Sequence, residues 1–484
     1  MTRLVKVELK KLFAKKIIYI FLVVIVAFTL MSALLEKNIN KIFSLLEYNA
    51  SKELYKQSMD SYDLTDSEQL EFYVEDKNEY DLIIIAKDYE VFSPEYTYIY
   101  DTVRDTVSCM NESEYLTKDQ DKYDECKKKY DEELEFLKHF DWKVQLVNNK
   151  KEVEEQIKSL EFGINSGVLN DEESLNTLKT LKLTKEVLDY RIDKGIPLDG
   201  SGLSTSLYAY IAAYKEYLTI DPNKNVVDRN ELLVNRQIEE EYFIDKYMFE
   251  NDLLKDTGKS SADDNTATAV LGVFSGGMFA LLFLILVGGG IIAEEFNKGT
   301  IKQLLLKPYK RTKIFANKVI ASIVVFILFL LVYAFITALI NGIVFGEISS
   351  LFDPLFFYDF SKHQVIAHSL WFACLERFMV ILPMFLIMLG VSILFGVLTT
   401  NTAVSIIVPI VINTGASIIN AFAKGKLFAF LPTMCWDLSE FLHGGIPEFK
   451  YLKLSTCIVV DIITIALLFG ISMFIFKKKD IKNQ

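Results

Sequence analysis

The chain has 484 residues, of which 51% are hydrophobic and 24% charged, with nine prolines and a formal net charge of −12. That is too apolar for an ordinary soluble protein and too charged for a bare membrane bundle. The imbalance is explained by long uncharged runs separated by one acidic block.

Residues 1–16 read as an amphipathic helix, with Leu4, Val7, Leu12 and Phe13 among Arg3, Lys6, Lys10, Lys11, Lys15 and Lys16. Uncharged runs follow at 17–35, 266–293, 319–346 and 378–423, and the run 454–476 holds one charge, Asp461. A helix needs about 20 apolar residues to cross a bilayer. The run 378–423 is long enough for two crossings, split at 399–402 into 378–398 and 403–423. Six transmembrane helices are predicted. The first is too long for the apolar stretch of a cleavable signal peptide.

Basic residues flank the first span, fill the 294–318 loop and close the chain at Lys477, Lys478, Lys479 and Lys482. Basic flanks stay cytoplasmic. Both termini and that loop are therefore expected inside a multi-pass protein of the cell membrane. Lys424, Lys426, Lys450 and Lys453 then fall outside, against the rule.

This orientation puts 36–265 outside as one extracellular domain, carrying 52 acidic and 29 basic residues. Its net charge of −23 serves either solubility or capture of a cationic ligand, with Asp131–Glu133 and Glu239–Glu241 as acidic clusters. Helix is expected over 114–162, over 171–195 ending at Gly195, and over 230–254 with Asn230 as cap. The stretch 82–100 has strand-forming composition. Cys109 and Cys126 are the only cysteines of this block, and disulfide and free pair both stay open. Cys374, Cys435 and Cys457 read as packing residues.

Catalytic signatures are absent. No P-loop, HExxH, CxxC or GxSxG occurs, and "NKGT" at 297–300 lacks the glycine loop that cradles phosphate. His363 and His368 are five apart, which on a helix turns them to different faces, so no metal site is expected. No nucleic-acid partner is implied. Asp461 is an ionisable group inside a span, and such groups face a cavity or a partner. It and Asn413 are the candidates for a substrate pathway. Gly272 and Gly276 form a GxxxG in span two.

The stretch "EEFNKGTIKQLLLKPYKR" (294–311) is amphipathic and basic, and Pro308 ends it. Thr312 is placed to cap the next helix. By itself this fits a helix lying on anionic lipid. Its pattern, Glu-x-x-x-x-Gly-Thr-x-x-x-Leu-Leu-x-x-Pro-x-x-Arg, resembles the membrane subunit of type-2 ABC exporters. The resemblance rests on Glu294, Glu295, Gly299, Thr300, Leu304, Leu305, Pro308 and Arg311, on the amphipathic entry helix and on six spans. It covers roughly 1–35 and 266–484. The segment "FAFLPTMCWDLSEFL" (428–442) is similar to the re-entrant helices such permeases place between spans five and six, here within 424–453.

The resemblance implies that 294–318 is a coupling-helix loop, with Ile301, Leu304 and Leu305 as its apolar face. It would dock on a separate cytoplasmic ABC ATPase subunit, which would bind ATP and magnesium. A second permease, identical or related, would complete the assembly. A peptide, such as an antimicrobial or cytolytic one, is the preferred cargo, with lipid or drug as rival. The expected fold is thus an α-helical integral membrane protein with six transmembrane helices and a large, mainly helical extracellular domain between helices one and two. The connecting segments are a loop at 347–377 and a cytoplasmic tail at 477–484. A membrane sensor with a ligand-binding ectodomain and a membrane-bound enzyme are the alternatives.

Overall fold

The computed structural model describes residues 2–221, 228–254, 265–301, 309–422 and 425–479. Six helices are long and apolar enough to cross a membrane: Lys16–Asn38, Thr266–Asn297, Arg311–Phe345, Leu370–Thr399, Thr402–Asn420 and Leu454–Lys478. They are called spans one to six. Each contains its uncharged run almost entirely. Most also extend beyond it, because a helix satisfies its own backbone hydrogen bonds and need not stop where the hydrocarbon does. Span four begins at Leu370, which draws Glu376 and Arg377 into its first turns.

The chain divides into two compact units. One comprises Met1–Ala33, Asn225–Ile244 and Asn265–Gln484; the other comprises Leu34–Lys224 and Asp245–Asp264.

In the first unit, span two packs against spans three, four and five, and span four against span six. Aromatic rings fill the seams. Phe283 of span two stacks on Phe329 of span three at 3.7 Å, and Phe21 of span one stands 5.7 Å and 5.8 Å from those two rings. Span two is not continuous. It breaks between Thr266–Phe274 and Met278–Asn297, where Gly276 takes φ +84°. The GxxxG expectation holds for one of its two glycines: nothing lies within 4 Å of a Cβ built on Gly272, whereas a Cβ on Gly276 would stand 2.8 Å from Ile381 Cδ1 of span four. Close packing recurs further along the same span. A Cβ on Gly289 would stand 2.9 Å from Ser405 Oγ and 3.1 Å from Ser392 Oγ. Those two hydroxyls donate to the span-two carbonyls of Gly289 and Ile285, both at 3.0 Å. Small residues and short hydroxyls are what membrane helices use to approach closely.

An antiparallel hairpin joins spans three and four, Leu355–Asp359 with Gln364–His368. It falls in the 347–377 loop, where no strand was predicted. Between spans five and six the described chain forms only short turns, Lys426–Phe430, Pro432–Cys435 and Ser439–Gly444.

The second unit is helical. The stretch 82–100 is not a strand: Leu82, Ile83 and Ala86 close the helix Ser67–Ala86, which Asp66 caps, and Pro94–Tyr98 is helical as well. Helical spacing puts Leu82 and Ala86 on one face, and they cluster with Ile99, Val103, Val107 and Leu137. The 114–162 region splits at His139–Asp141 into Gln120–Lys138 and Trp142–Asn165, each led by an aspartate cap, Asp119 and Asp141. Helix Glu172–Lys194 starts at the Asp171 cap and ends at Gly195, φ +70°, as the sequence implied.

Helix Arg229–Glu250 starts one residue before Asn230, whose amide hydrogen-bonds Asp228 Oδ1 at 3.2 Å. Asp228 caps this helix and Asn230 does not. Cys109 and Cys126 are disulfide-bonded, Cα atoms 5.9 Å apart, and tie the helix Arg104–Asn111 to Gln120–Lys138.

Candidate functional site

The entry helix Thr2–Phe13 carries one acidic residue, Glu8, among lysines. Helical spacing puts Glu8 on the face of Leu12, and both are buried, with Val5 and Leu9 packed against the same core. The apolar stripe is thus narrower than the sequence suggested, since Val7 and Phe13 are exposed. This helix packs on span three.

Lys318 lies inside span three, and its side chain is 0% exposed. An ammonium group has three donors. Glu8 Oε2 accepts from it at 3.0 Å and the Ile291 carbonyl at 3.2 Å, while Glu295 Oε2 stands 2.8 Å away as an ion-pair partner. Lys11 closes the ring from the outside, 2.9 Å from Glu295 Oε1 and 3.4 Å from Glu8 Oε1. Burial works against the Lys11 charge, but Glu295 and Glu8 outweigh it and hold its pKa above the ordinary lysine value. Two lysines and two glutamates make a neutral four-membered ring, the condition under which buried charge is tolerated. A neighbouring, partly exposed trio lies beside it: Lys15 Nζ stands 3.1 Å from Glu294 Oε1, and Lys298 stands 3.4 Å from Glu294 Oε2. Together these residues line a cleft of about 490 Å³ that includes Glu8, Lys11, Lys15, Glu294, Glu295 and Thr300.

This ring fixes both stems of the loop that carries the resemblance. Span two ends at Asn297, and Gly299 at φ +67° turns the chain out of the helix. Thr300 is exposed at the turn. Ile301 is 1% exposed and belongs to the chain's own core, so it is not part of an outward docking face. Leu304, Leu305 and Pro308 lie outside the described residues. Span three starts at Arg311, and Lys310 precedes it without a side-chain cap; Thr312 is inside the first turn and caps nothing. Arg311 donates from Nη1 to the carbonyls of Lys477 and Lys479, both at 3.0 Å. It satisfies the free C-terminal carbonyls of span six, a standard use of a basic side chain there. Lys479 in turn donates to Leu398 O at 3.0 Å at the end of span four.

Asp461 is buried, 2% exposed, and its carboxylate oxygens have no hydrogen-bond partner among the described residues. It lies on span six with Cys457, near Cys435. It is about 24 Å along the helix from Lys477, and so far from the charged ring. Asn413 is half-buried on span five.

Two arrangements escaped the sequence reading. One is the ring itself: the sequence places Lys318 at the end of the basic loop, and the lone acid of the entry helix, Glu8, is the signal that points to a buried cation. The other is a second cluster. His368 does not pair with His363; it faces Glu376, with Nδ1 3.3 Å from Oε2, and His443 Nε2 stands 3.2 Å from the same carboxylate. His363 turns instead to Glu239 Oε1 at 3.4 Å. Burial lowers the pKa of His443 despite Glu376 beside it. The acidic clusters are also less free than their sequence implied. Glu133 is buried and accepts from Thr106 Oγ1 at 2.8 Å, Glu239 accepts from Tyr358 at 2.9 Å, and burial raises the pKa of Glu240.

The fold and its six apolar helices define an α-helical membrane protein. Residues 242–482 match the model of a family described as a protein of unknown function, DUF2705. An uncharacterized protein of Bacillus subtilis, YhcI, is 27% identical over 247 residues, 50% of this chain and 75% of that one. An uncharacterized membrane protein of the same organism, YdbK, is 28% identical over 205 residues, 41% of this chain and 76% of that one. No solved structure matches the chain.

Proposed function

We propose that this chain is the permease subunit of an ATP-driven exporter of the type-2 ABC class, with peptide the preferred cargo and lipid or drug the rival. The observation that carries the reading is the charged ring. Glu295 at the end of span two and Lys318 near the start of span three are bonded to each other and to the entry helix. A push on the loop between them would therefore reach three helices at once, which is what a coupling element requires. The loop keeps its two leucines, its proline and its basic rim. In this reading a cytoplasmic ATPase subunit binds ATP and magnesium, a second permease completes the unit, and both termini are cytoplasmic. The block 36–265 is then extracellular. The Cys109–Cys126 disulfide supports that placement, since disulfides persist in oxidising compartments.

The test is co-purification from host cells that express the chain, with the ABC ATPase that accompanies it identified by mass spectrometry. Wild-type protein is expected to bring the ATPase down. The pair Leu304→Asp with Leu305→Asp is expected to lose it, because unpartnered charge in an apolar groove costs several kcal/mol. The variant should insert and fold normally. Wild-type yield of ATPase from the double variant would assign the loop to the lipid surface. ATP hydrolysis by the isolated chain would remove the permease reading altogether.

A further inference from the structure

His368, Glu376 and His443 come from three separate segments: the end of the hairpin, the first turns of span four and the turn Ser439–Gly444. One ligand-capable atom from each lies within 4.8 Å of the other two. The side chains are 20%, 22% and 13% exposed, enclosed but reachable by water.

The spacing suits an ion. Zinc bonds of ~2.0–2.1 Å in a tetrahedron separate ligand atoms by about 3.3 Å. The Glu376 carboxylate already stands 3.3 Å from His368 and 3.2 Å from His443. The remaining separation closes with at most about 1.5 Å of ring movement. Hydrogen bonding alone leaves the cluster incomplete: His368 Nδ1 is buried and makes no hydrogen bond of acceptable geometry, although a carboxylate faces it. Aromatic rings hold both imidazoles, Phe357 at 5.7 Å from His368 and 5.0 Å from His443, and Phe372 at 4.7 Å from His368. Two cations stand near the cluster, Arg377 and Arg236, and Arg236 donates to the Gly444 carbonyl at 2.9 Å. The Arg377 guanidinium sits over Phe357 at 5.9 Å, and Glu240 offsets it.

We propose that His368, Glu376 and His443 bind a divalent transition-metal ion, zinc by preference, with water in the fourth position. Two imidazoles and one carboxylate suit zinc. Magnesium and calcium take oxygen ligands, and copper(I) takes sulfur, which this cluster lacks. Bound metal clips the hairpin and the Ser439–Gly444 turn to the start of span four, adding to the Phe360 N–H to His443 carbonyl bond of 2.8 Å. The site stands whether or not the chain couples to an ATPase.

The experiment uses full-length, tag-free protein in detergent, stripped by chelator and titrated with cobalt(II). One equivalent per chain should give the intense visible bands of a tetrahedral site, and zinc should displace it and raise the thermal midpoint. His443→Ala and Glu376→Gln should weaken binding by more than about tenfold, the least that loss of a group merely hydrogen-bonded to a ligand costs. His363→Ala lies outside the triplet and should bind as wild type. Thermal unfolding of the metal-free variants separates loss of a ligand from loss of fold. Absence of stoichiometric uptake by folded wild-type protein overturns the proposal. So does uptake unchanged in both His443→Ala and Glu376→Gln, or lost equally in His363→Ala.

Discussion

The two units each bury a cation, and they do so by different chemistry. Lys318, in the membrane unit, is matched by two carboxylates and one carbonyl. Arg191, in the other unit, is 1% exposed and directs its guanidinium to neutral acceptors, the carbonyls of Pro197 and Ser204 and the Ser204 hydroxyl, at 2.7 to 3.0 Å. Tyr208 adds a ring face 4.8 Å from Arg191 Cζ. Burial lowers the Arg191 pKa without removing its charge. A delocalised, weakly hydrated guanidinium can be satisfied by dipoles, whereas a compact ammonium needs counter-charge. The difference lies in the ion as much as in its surroundings.

That contrast can be broken from either side. Lys318→Met should have the largest effect, because it leaves Glu8 and Glu295 buried against each other. Removing one partner of a buried pair costs about 3–5 kcal/mol. Thermal unfolding in detergent should show it, and adding Glu8→Gln and Glu295→Gln should recover much of the loss. Full stability of the single variant would mean that water reaches the ring.

Reduction of the Cys109–Cys126 bond comes next. The bond closes a separation of 17 residues, and a loop of that size is worth about 3 kcal/mol. Proteolysis with and without reductant should expose sites within Leu34–Lys224 and leave spans two to six protected. Equal protection would make the bond dispensable.

Arg191→Met should cost about 1–3 kcal/mol, since two backbone carbonyls lose their donor while the nearby Asp199 carboxylate keeps its bonds from the Ser201 N–H and hydroxyl. A loss equal to that of Lys318→Met would erase the distinction between dipoles and counter-charge.

Glu133→Gln should be the smallest change. Burial raises the pKa of Glu133, so the unfolded chain gives up its proton at lower pH than the folded one. The stability this group contributes is present at acid pH and falls as pH rises through its folded value. The glutamine variant should therefore match wild type at pH 4 and be at least as stable at pH 7, by thermal unfolding at both. A clear loss at pH 7 would show that the charge itself is used.

The membrane half was legible because a bilayer imposes a one-dimensional rule, and all six predicted spans became helical, span two in two pieces. Features that broke the rule locally were not legible. The interruption of span two sits inside a run with no charge to mark it, and Gly276 looks the same as a packing glycine until its φ is known. Strand-forming residues misled at 82–100 and were passed over at 355–368, because burial partners decide between helix and strand in such short apolar stretches. Of the loop residues, Glu295 gained Lys11 and Lys318 and Glu294 gained Lys15, partners no spacing rule could supply, whereas Lys298 is the i,i+4 neighbour of Glu294. Ile301 and Arg311 proved to serve the chain's own packing and capping. The His368–Glu376–His443 cluster spans 67 residues between Glu376 and His443, beyond any local pattern.

The Glu8–Lys318 bond joins residues 310 apart in the chain. At about 5–20 residues per second of synthesis, the entry helix waits roughly 15–60 s before its partner exists. During that interval Glu8 has no buried cation to meet and must stay at the water-facing edge of the bilayer. Docking of the first helix is thus a late event in biogenesis, and a nascent chain stalled before Lys318 would expose its amino-terminal segment to quality-control proteases.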